Sequence, residues 1–374
     1  MNTTRYSKYL LETLSTGTTS QLPISATCNA KCLFCSNNNN PFPIRREEFR
    51  SLEDVKRGLC LIDPKSPTIS ISDTLPGRMF EGEALLHPRI IEIFKLIRGR
   101  TQAMIQLITN GTLLTEELIK KLVPFKPIFF TVSYHSDDPD NWCRAFGLGK
   151  DKYRIAHDSF FLLAKNGFFM NAVIVPLVKL YGYKDVENTI NHLRMYMKQI
   201  YFLSPAFSKK SPPRLRSALQ TDNREFALFL NKLRKKYRLN LSFPEDPLAP
   251  LGFNPREIIG ETLKHKFKNV AWLFSEAAYD RAALTLKSFN NTVPNEHRAF
   301  KVTNRSYGGT INCAGLLMVS DFRAAMKDIS AKHKSSSFDL FVLPVLPFNR
   351  FGEDLMFENY SKLESEFKTT VYLR

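Results

Sequence analysis

Short runs rich in β-branched and apolar residues alternate along the first two-thirds of this chain with stretches whose apolar positions recur every three to four residues. "SQLPISA" (20–26) predicts a first strand, and "SLEDVKRGLCLI" (51–62) a helix with Ser51 as its cap and acids in its first turn. "TISIS" (68–72) predicts the next strand, followed by a helix opened by Pro88 in "PRIIEIFKLI". "AMIQLIT" (103–109) precedes the helical "TEELIKKL", and "PIFFTVS" (127–133) precedes helical segments reaching about residue 166. "MNAVIVP" (170–176) leads into a helix over 184–198, and "IYFLS" (200–204) into one over 221–238. These are six strand-then-helix units. Apolar strands joined by helical crossovers imply a parallel sheet covered by helices. Six units, where a closed barrel needs eight, predict a partial (βα)6 TIM-like barrel in the α/β class.

After about residue 240 the alternation fails. "FPEDPLAPLGFNP" is a proline-rich connector, 257–295 reads as mainly helical, and the last seventy or so residues, with "FDLFVLPVLP" as a strand, read as a smaller α+β extension. The expected organisation is an N-terminal extension (1–19), the barrel (20–240) and a C-terminal linker, helical segment and α+β domain (241–374). "KYLLET" in the extension reads as a frayed surface helix.

Composition narrows the class. At 374 residues with 43% hydrophobic content, the chain can bury a large core. No apolar run approaches the ~18 residues of a spanning helix. The N-terminus lacks a basic-then-apolar leader pattern. Six unevenly spaced cysteines argue against a disulfide framework and for a reducing, cytoplasmic setting. The net charge of +17 gathers at 207–216, 232–238 and 263–268. It reads either as a surface for RNA or an acidic partner or as a set of solvated faces. The spacing of Phe229 and Leu233 in "FLNKLRKKYR" leaves the basic residues facing water and favours the second.

The unusual polar residues fall at the predicted C-terminal ends of strands, the rim where βα barrels gather their catalytic groups. Cys28, Cys32 and Cys35 follow the first strand; Glu81, Gly82 and Glu83 the second; Asn110 the third; Ser133 and His135 the fourth. Three crowded thiols cannot all pair with one another. Structural zinc takes four ligands, and a fourth would have to come from His87 or His135, at a distance in sequence. A four-iron cluster also takes four, so three leave one iron open.

C-x3-C-x2-C with Phe34 before the last cysteine resembles the hallmark of the radical S-adenosylmethionine (SAM) enzymes, placed as in that superfamily after the first strand of a six-unit partial barrel. The resemblance covers about residues 20 to 240. It implies a [4Fe–4S] cluster on Cys28, Cys32 and Cys35 whose open iron is chelated by SAM. Glu81-Gly82-Glu83-Ala84 is similar to the family's Gly-Gly-Glu-Pro motif at its two central positions and departs at the others. By that match Glu83 accepts hydrogen bonds from the SAM ammonium and Gly82 allows close backbone approach. Phe34 is expected near the adenine or simply as core packing beside the loop; Asn110 and Ser133 are expected partners for ribose or carboxylate. The implied reaction is reductive cleavage of SAM to a 5′-deoxyadenosyl radical that takes hydrogen from a substrate, with an electron donor such as flavodoxin or ferredoxin. A peptide or small molecule is the favoured substrate and RNA the alternative. The tail looks like that of a subgroup of iron–sulfur oxidoreductases with an uncharacterised C-terminal domain.

His135 and His87 read as buried structural groups, and Cys60 as an apolar filler within its helix. Nothing in the spacing of Cys60, Cys143 and Cys313 favours a second cluster. Two other classes stay open: an iron–sulfur electron-transfer protein without SAM turnover, and a zinc-stabilised RNA-binding module.

Overall fold

The computed structural model describes residues 20–35, 49–72, 81–244, 255–290, 293–333, 338–348 and 351–374. These fall into two compact units that divide at about residue 248. "KYLLET", the four-asparagine run and most of the proline-rich connector lie outside the described residues.

The first unit is built on seven parallel strands in sequential order: β1 (Ser20–Gln21), β2 (Thr68–Ile71), β3 (Met104–Thr109), β4 (Ile128–Ser133), β5 (Phe169–Ile174), β6 (Gln199–Phe202) and β7 (Asn240–Ser242). Helices connect them: α1 (Leu52–Leu61), α2 (Ile90–Arg100), α3 (Glu116–Leu122), α4 (Pro139–Phe146), α5 (Lys150–Lys165), α6 (Val178–Leu193), α7 (Pro213–Leu219) and α8 (Asn223–Tyr237). Six of the strands are those the periodicity predicts, and the partial TIM-like barrel is present. β7 is an addition. It pairs with β6 and carries the sheet past residue 240.

Local chemistry sets the element ends. Ser51 caps α1 by accepting from the Asp54 N–H, and Thr115 does the same for α3 through Leu118. Pro88 lies two residues before α2 rather than inside it. Gly182, at φ +78°, interrupts α6, so its regular part begins close to the expected residue 184. The strand expected over 20–26 is cut to two residues, because Pro23 offers no N–H to continue the ladder.

Strand alternation sorts the side chains. Ile69, Ile71, Ile105, Leu107, Phe130, Val132, Ala172, Ile174, Ile200 and Phe202 share one buried core with Val55, Phe94, Ile97, Phe160 and Ile190 of the helices. The residues between them face the other way, into the barrel: Ser70, Gln106, Thr131, Asn171 and Tyr201.

The second unit holds α9 (Arg256–Lys264), β8 (Asn269–Ser275), α10 (Glu276–Asn290), β9 (Glu296–Val302), α11 (Val319–Lys332), β10 (Leu340–Leu343), α12 (Ser361–Phe367) and β11 (Thr370–Leu373). Its sheet has the order β11-β10-β8-β9 and every pair is parallel. The C-terminal extension is therefore present, with helices and strands alternating along it. "NVAWLFS" (269–275), inside the stretch expected to be mainly helical, is a buried strand: Val270, Ala271, Trp272 and Leu273 are continuously apolar, as a strand covered on both faces is. Among the described residues no helix is long and apolar enough to cross a membrane.

Candidate active site

Four buried polar residues organise the rim at the ends of β1, β2 and β3. Where Pro23 breaks the ladder, the Glu81 carboxylate takes over: its Oε2 accepts from the N–H groups of Ile24 (2.8 Å) and Ser25 (2.9 Å). Arg50 donates to Glu81 Oε1 at 3.2 Å, making an ion pair whose side chains are 5% and 3% exposed. Gly82 and Glu83 then pair by backbone with the segment leading to the cysteines, the Gly82 N–H to Ser25 O and the Glu83 N–H to Thr27 O, both 2.8 Å. A Cβ on Gly82 would lie 2.1 Å from Thr27 O. The close approach that needs glycine here is thus to the protein's own cysteine loop.

Glu83 is buried. Its Oε1 accepts from the Thr109 hydroxyl (2.8 Å) and the Leu85 N–H (3.2 Å), and its Oε2 from the Asn110 N–H (2.7 Å). Arg50 is committed to Glu81, so burial pushes the Glu83 carboxyl up to about 7, the three donors pulling the other way. Oε2 retains one acceptor position beyond the Asn110 bond. A buried carboxylate with spare acceptor capacity and its burial uncompensated suits a cationic donor.

Asn110 ties the turn after β3 to the cysteine loop. Its side-chain NH2 donates to Asn29 Oδ1 (2.8 Å), and its Oδ1 accepts from the N–H and hydroxyl of Thr112 (3.0 and 2.6 Å). Asn29 in turn donates to the Thr112 hydroxyl at 2.9 Å. Asn29 sits between Cys28 and Cys32, so the turn after β3 holds the cysteine loop directly. From the other side the Lys31 and Leu33 N–H groups donate to the carbonyls of Phe146 and Ala145 at the end of α4. Gly147 follows at φ +66°, where an added Cβ would meet Lys31 O at 3.1 Å.

None of the three thiols is tied up in a disulfide. Crowding by the surrounding protein, with the nearby Glu83 and Cys35, pushes the Cys28 thiol up to about 11. Burial first, then Cys35 and Cys28, raises Cys32 well above its ordinary value. The structure thus brings them within electrostatic reach of one another. Phe34 meets the edge of His135 (centroids 4.5 Å, planes at 81°), and His135 stacks on Phe146 at 4.7 Å. His135 is buried, held neutral with its pKa down to about 3, and its Nδ1 accepts from the Val175 N–H. His87 is buried between the Arg50 carbonyl and the Arg89 N–H. Ser133 ends β4 on the barrel-facing side.

Cys60 is a correction. It is exposed, because the buried stripe of α1 runs through Val55, Gly58 and Leu59 and the next residue turns about 100° away from it. Cys143 lies on α4, and Cys313 belongs to the second unit. Thr27, Asn29, Arg50, Thr109 and Thr112 are not singled out by sequence. Only the flanking "TNGT" gives any signal for two of them.

Residues 22–193, spanning the cysteine loop, Glu83 and strands β2 to β5, match the family model of the radical SAM superfamily. The matched stretch, a little under half of the chain, is a radical SAM domain by that model. The superfamily uses a [4Fe–4S] cluster with SAM. No curated protein matches the chain. Among solved structures, a histidine-tagged anSMEcpe with bound AdoMet is 18% identical, with 60% of this chain and 62% of that one covered and a TM-score of 0.45. Streptococcus suis SuiB bound to S-adenosylmethionine is 15% identical, with 79% and 60% covered and a TM-score of 0.45. TYW1 with a lysine-pyruvate adduct bound is 14% identical, with 62% and 77% covered and a TM-score of 0.39. The chain spans less than two thirds of the length of the first two.

The cysteine rim suits a [4Fe–4S] cluster, the cofactor of that superfamily, by the chemistry of its donors. The Cys28 and Cys32 thiols, raised by desolvation and by the neighbouring thiols, become thiolates when a multivalent cation compensates them. The loop carrying them is held by backbone bonds: Thr27 O accepts from the Glu83 N–H, and the Lys31 and Leu33 N–H groups donate to the Phe146 and Ala145 carbonyls.

Proposed function

We propose that this protein is a radical SAM enzyme that holds a [4Fe–4S] cluster on Cys28, Cys32 and Cys35 and binds SAM with its ammonium on Glu83. When bound, the cluster supplies the electron that cleaves SAM to a 5′-deoxyadenosyl radical, which takes hydrogen from a substrate. The observation that carries the reading is Glu83: a buried carboxylate beside the cysteine loop, its pKa raised by burial, with no salt-bridge partner among the described residues and an acceptor position left over. A ligand ammonium there gains a charge-assisted hydrogen bond and restores the carboxylate. Asn110 is a positioning residue, holding Asn29 and hence the cysteine loop, and Phe34 packs on His135 to close the same loop. Ser133 and Gly82 complete the proposed cofactor surroundings, Ser133 with its hydroxyl and Gly82 by admitting the loop.

The substrate group is a neutral hydrogen-bonding one, which keeps a peptide or a polar small molecule ahead of RNA. None of the seven strands carries a charged residue. Both amide atoms of Gln21 and the Asn171 Oδ1 are buried without a partner among the described residues. The α8 basic run is partly spent inside the protein: Arg234 donates to Leu241 O, and Lys236 pairs with Glu187 at 2.6 Å. An electron donor of the flavodoxin or ferredoxin kind, a cytoplasmic setting, and domains at 1–19, 20–240 and 241–374 belong to the same proposal. Iron and acid-labile sulfide, measured after anaerobic reconstitution, test the first step. About four of each per chain are expected, whereas zinc without sulfide would replace this reading with a zinc-stabilised module.

A further inference from the structure

Among the described residues, one cluster of side chains outside the cysteine rim has the composition of a metal site. Asp137, in the segment between β4 and α4, His157 of α5 and His192 of α6 each offer a ligand atom, and the three atoms lie within 4.8 Å of one another. Asp137 Oδ1 is 3.7 Å from His192 Nδ1, and the two imidazoles stack with centroids 4.5 Å apart. His192 is only 9% exposed, and its Nε2 is buried with no hydrogen-bond partner among the described residues. The other ring nitrogen, Nδ1, is the one that faces Asp137 and is the ligand atom His192 offers.

The surroundings resemble the outer support of a metal centre. His157 Nδ1 donates to Asp158 Oδ1 at 3.0 Å, which leaves Nε2 as its ligand atom, the carboxylate–histidine arrangement common behind bound metals. Tyr134 donates to Asp137 Oδ1 at 2.9 Å. The Asp137 backbone is pinned by both helices: its N–H donates to Thr189 Oγ1 of α6 (2.9 Å), and its carbonyl accepts from the Tyr153 hydroxyl of α5 (2.8 Å). Asp185 of α6 fixes the flanking residues, accepting from Ser136 and Asn141.

We propose that Asp137, His157 and His192 form a second metal site, separate from the cysteines, that takes a divalent transition ion of the zinc type and braces the β4 exit against α5 and α6. Two imidazoles and one carboxylate are a borderline ligand set, suited to zinc with water in the fourth place. Ligand atoms about 2.0–2.2 Å from zinc stand roughly 3.4 Å apart in a tetrahedron. The 3.7 Å Asp137–His192 separation is already close, and the His157 side chain, 36% exposed, has room to close the rest. The site adds a brace beside Ser133 and His135, whose placement the barrel rim depends on.

The test uses full-length protein with its cluster reconstituted, so that the three cysteines are occupied, equilibrated with zinc and then desalted. The expected result is one zinc per chain beyond the cluster iron. That zinc is lost in His157→Ala, and its affinity falls at least tenfold in Asp137→Asn, with iron unchanged in both. Cobalt in the same site gives visible d–d bands without thiolate charge transfer. Thermal melting of His157→Ala checks folding. A Cys28/Cys32/Cys35→Ala variant that keeps the extra zinc supports the site independently. Equal zinc in wild type and His157→Ala, or zinc that disappears with the three cysteines, overturns the proposal.

Discussion

Glu83→Gln separates the two things a buried carboxylate does here. The substitution keeps the size of the side chain and removes the charge. If the glutamine oxygen takes the place of Oε1, it satisfies Thr109 and Leu85, and its NH2 then faces the Asn110 N–H that donated to Oε2. That donor–donor conflict costs about 1–3 kcal/mol. Against it stands the burial of charge. With a folded pKa of about 7 against an ordinary 4.5, ionised Glu83 destabilises the ligand-free protein by about 3 kcal/mol above pH 7. For a carboxyl whose pKa is raised, the folded state binds more protons between pH 4.5 and 7, so stability falls as pH rises through that window. Wild type is therefore expected to lose about 2 kcal/mol relative to Glu83→Gln between about pH 5 and pH 8, so the two approach each other in stability at the alkaline end. Urea unfolding followed by Trp142 fluorescence in a Trp272→Phe background reads the barrel alone, since Trp142 is buried in it and the chain has only two tryptophans. The same variant should weaken SAM binding by about tenfold to a hundredfold, the loss of one charge-assisted hydrogen bond worth roughly 1.5–3 kcal/mol. Parallel pH profiles for the two proteins, or unchanged SAM affinity, refute the role given to Glu83.

Gly82→Ala drives a methyl into Thr27 O, a backbone atom that cannot swing aside; a loss of about 3 kcal/mol or more in barrel stability and poor iron incorporation are expected, measured by urea unfolding and iron content. Arg50→Met removes the Arg50 guanidinium from the buried Glu81 carboxylate and should cost about 3–5 kcal/mol in urea unfolding, with part recovered as pH falls and Glu81 takes up a proton. Replacing Cys60, Cys143 and Cys313 together by serine should leave the iron count unchanged; loss of about half the iron would reveal a second cluster.

The barrel is legible in the sequence because its signals are local. Short apolar strands alternating with helical patterns, Ser51 as a cap, and the C-x3-C-x2-C loop are all read within a few residues. What stays hidden depends on partners far apart in the chain. Arg50 reaches Glu81 across 31 residues, and Asn110 reaches Asn29 across 81; neither pairing leaves a periodic trace. Gly82 signals a close approach, but only the fold shows that Thr27 is what approaches. β8 escapes for a different reason: a continuously apolar five-residue run is ambiguous between buried helix and buried strand, and pairing with β9 and β10 decides it. Cys60 misleads because cysteine's usual burial says nothing of the phase of its helix.

The central claim is that this site turns over SAM by way of the three cysteines. The most direct measurement is product analysis after anaerobic incubation of cluster-loaded, reduced protein with SAM. The account predicts slow formation of 5′-deoxyadenosine and methionine without added substrate, abolished in Cys32→Ala by loss of a cluster ligand. An iron-loaded, reduced wild type that forms neither product contradicts it and leaves "CNAKCLFC" as a holder of electrons alone.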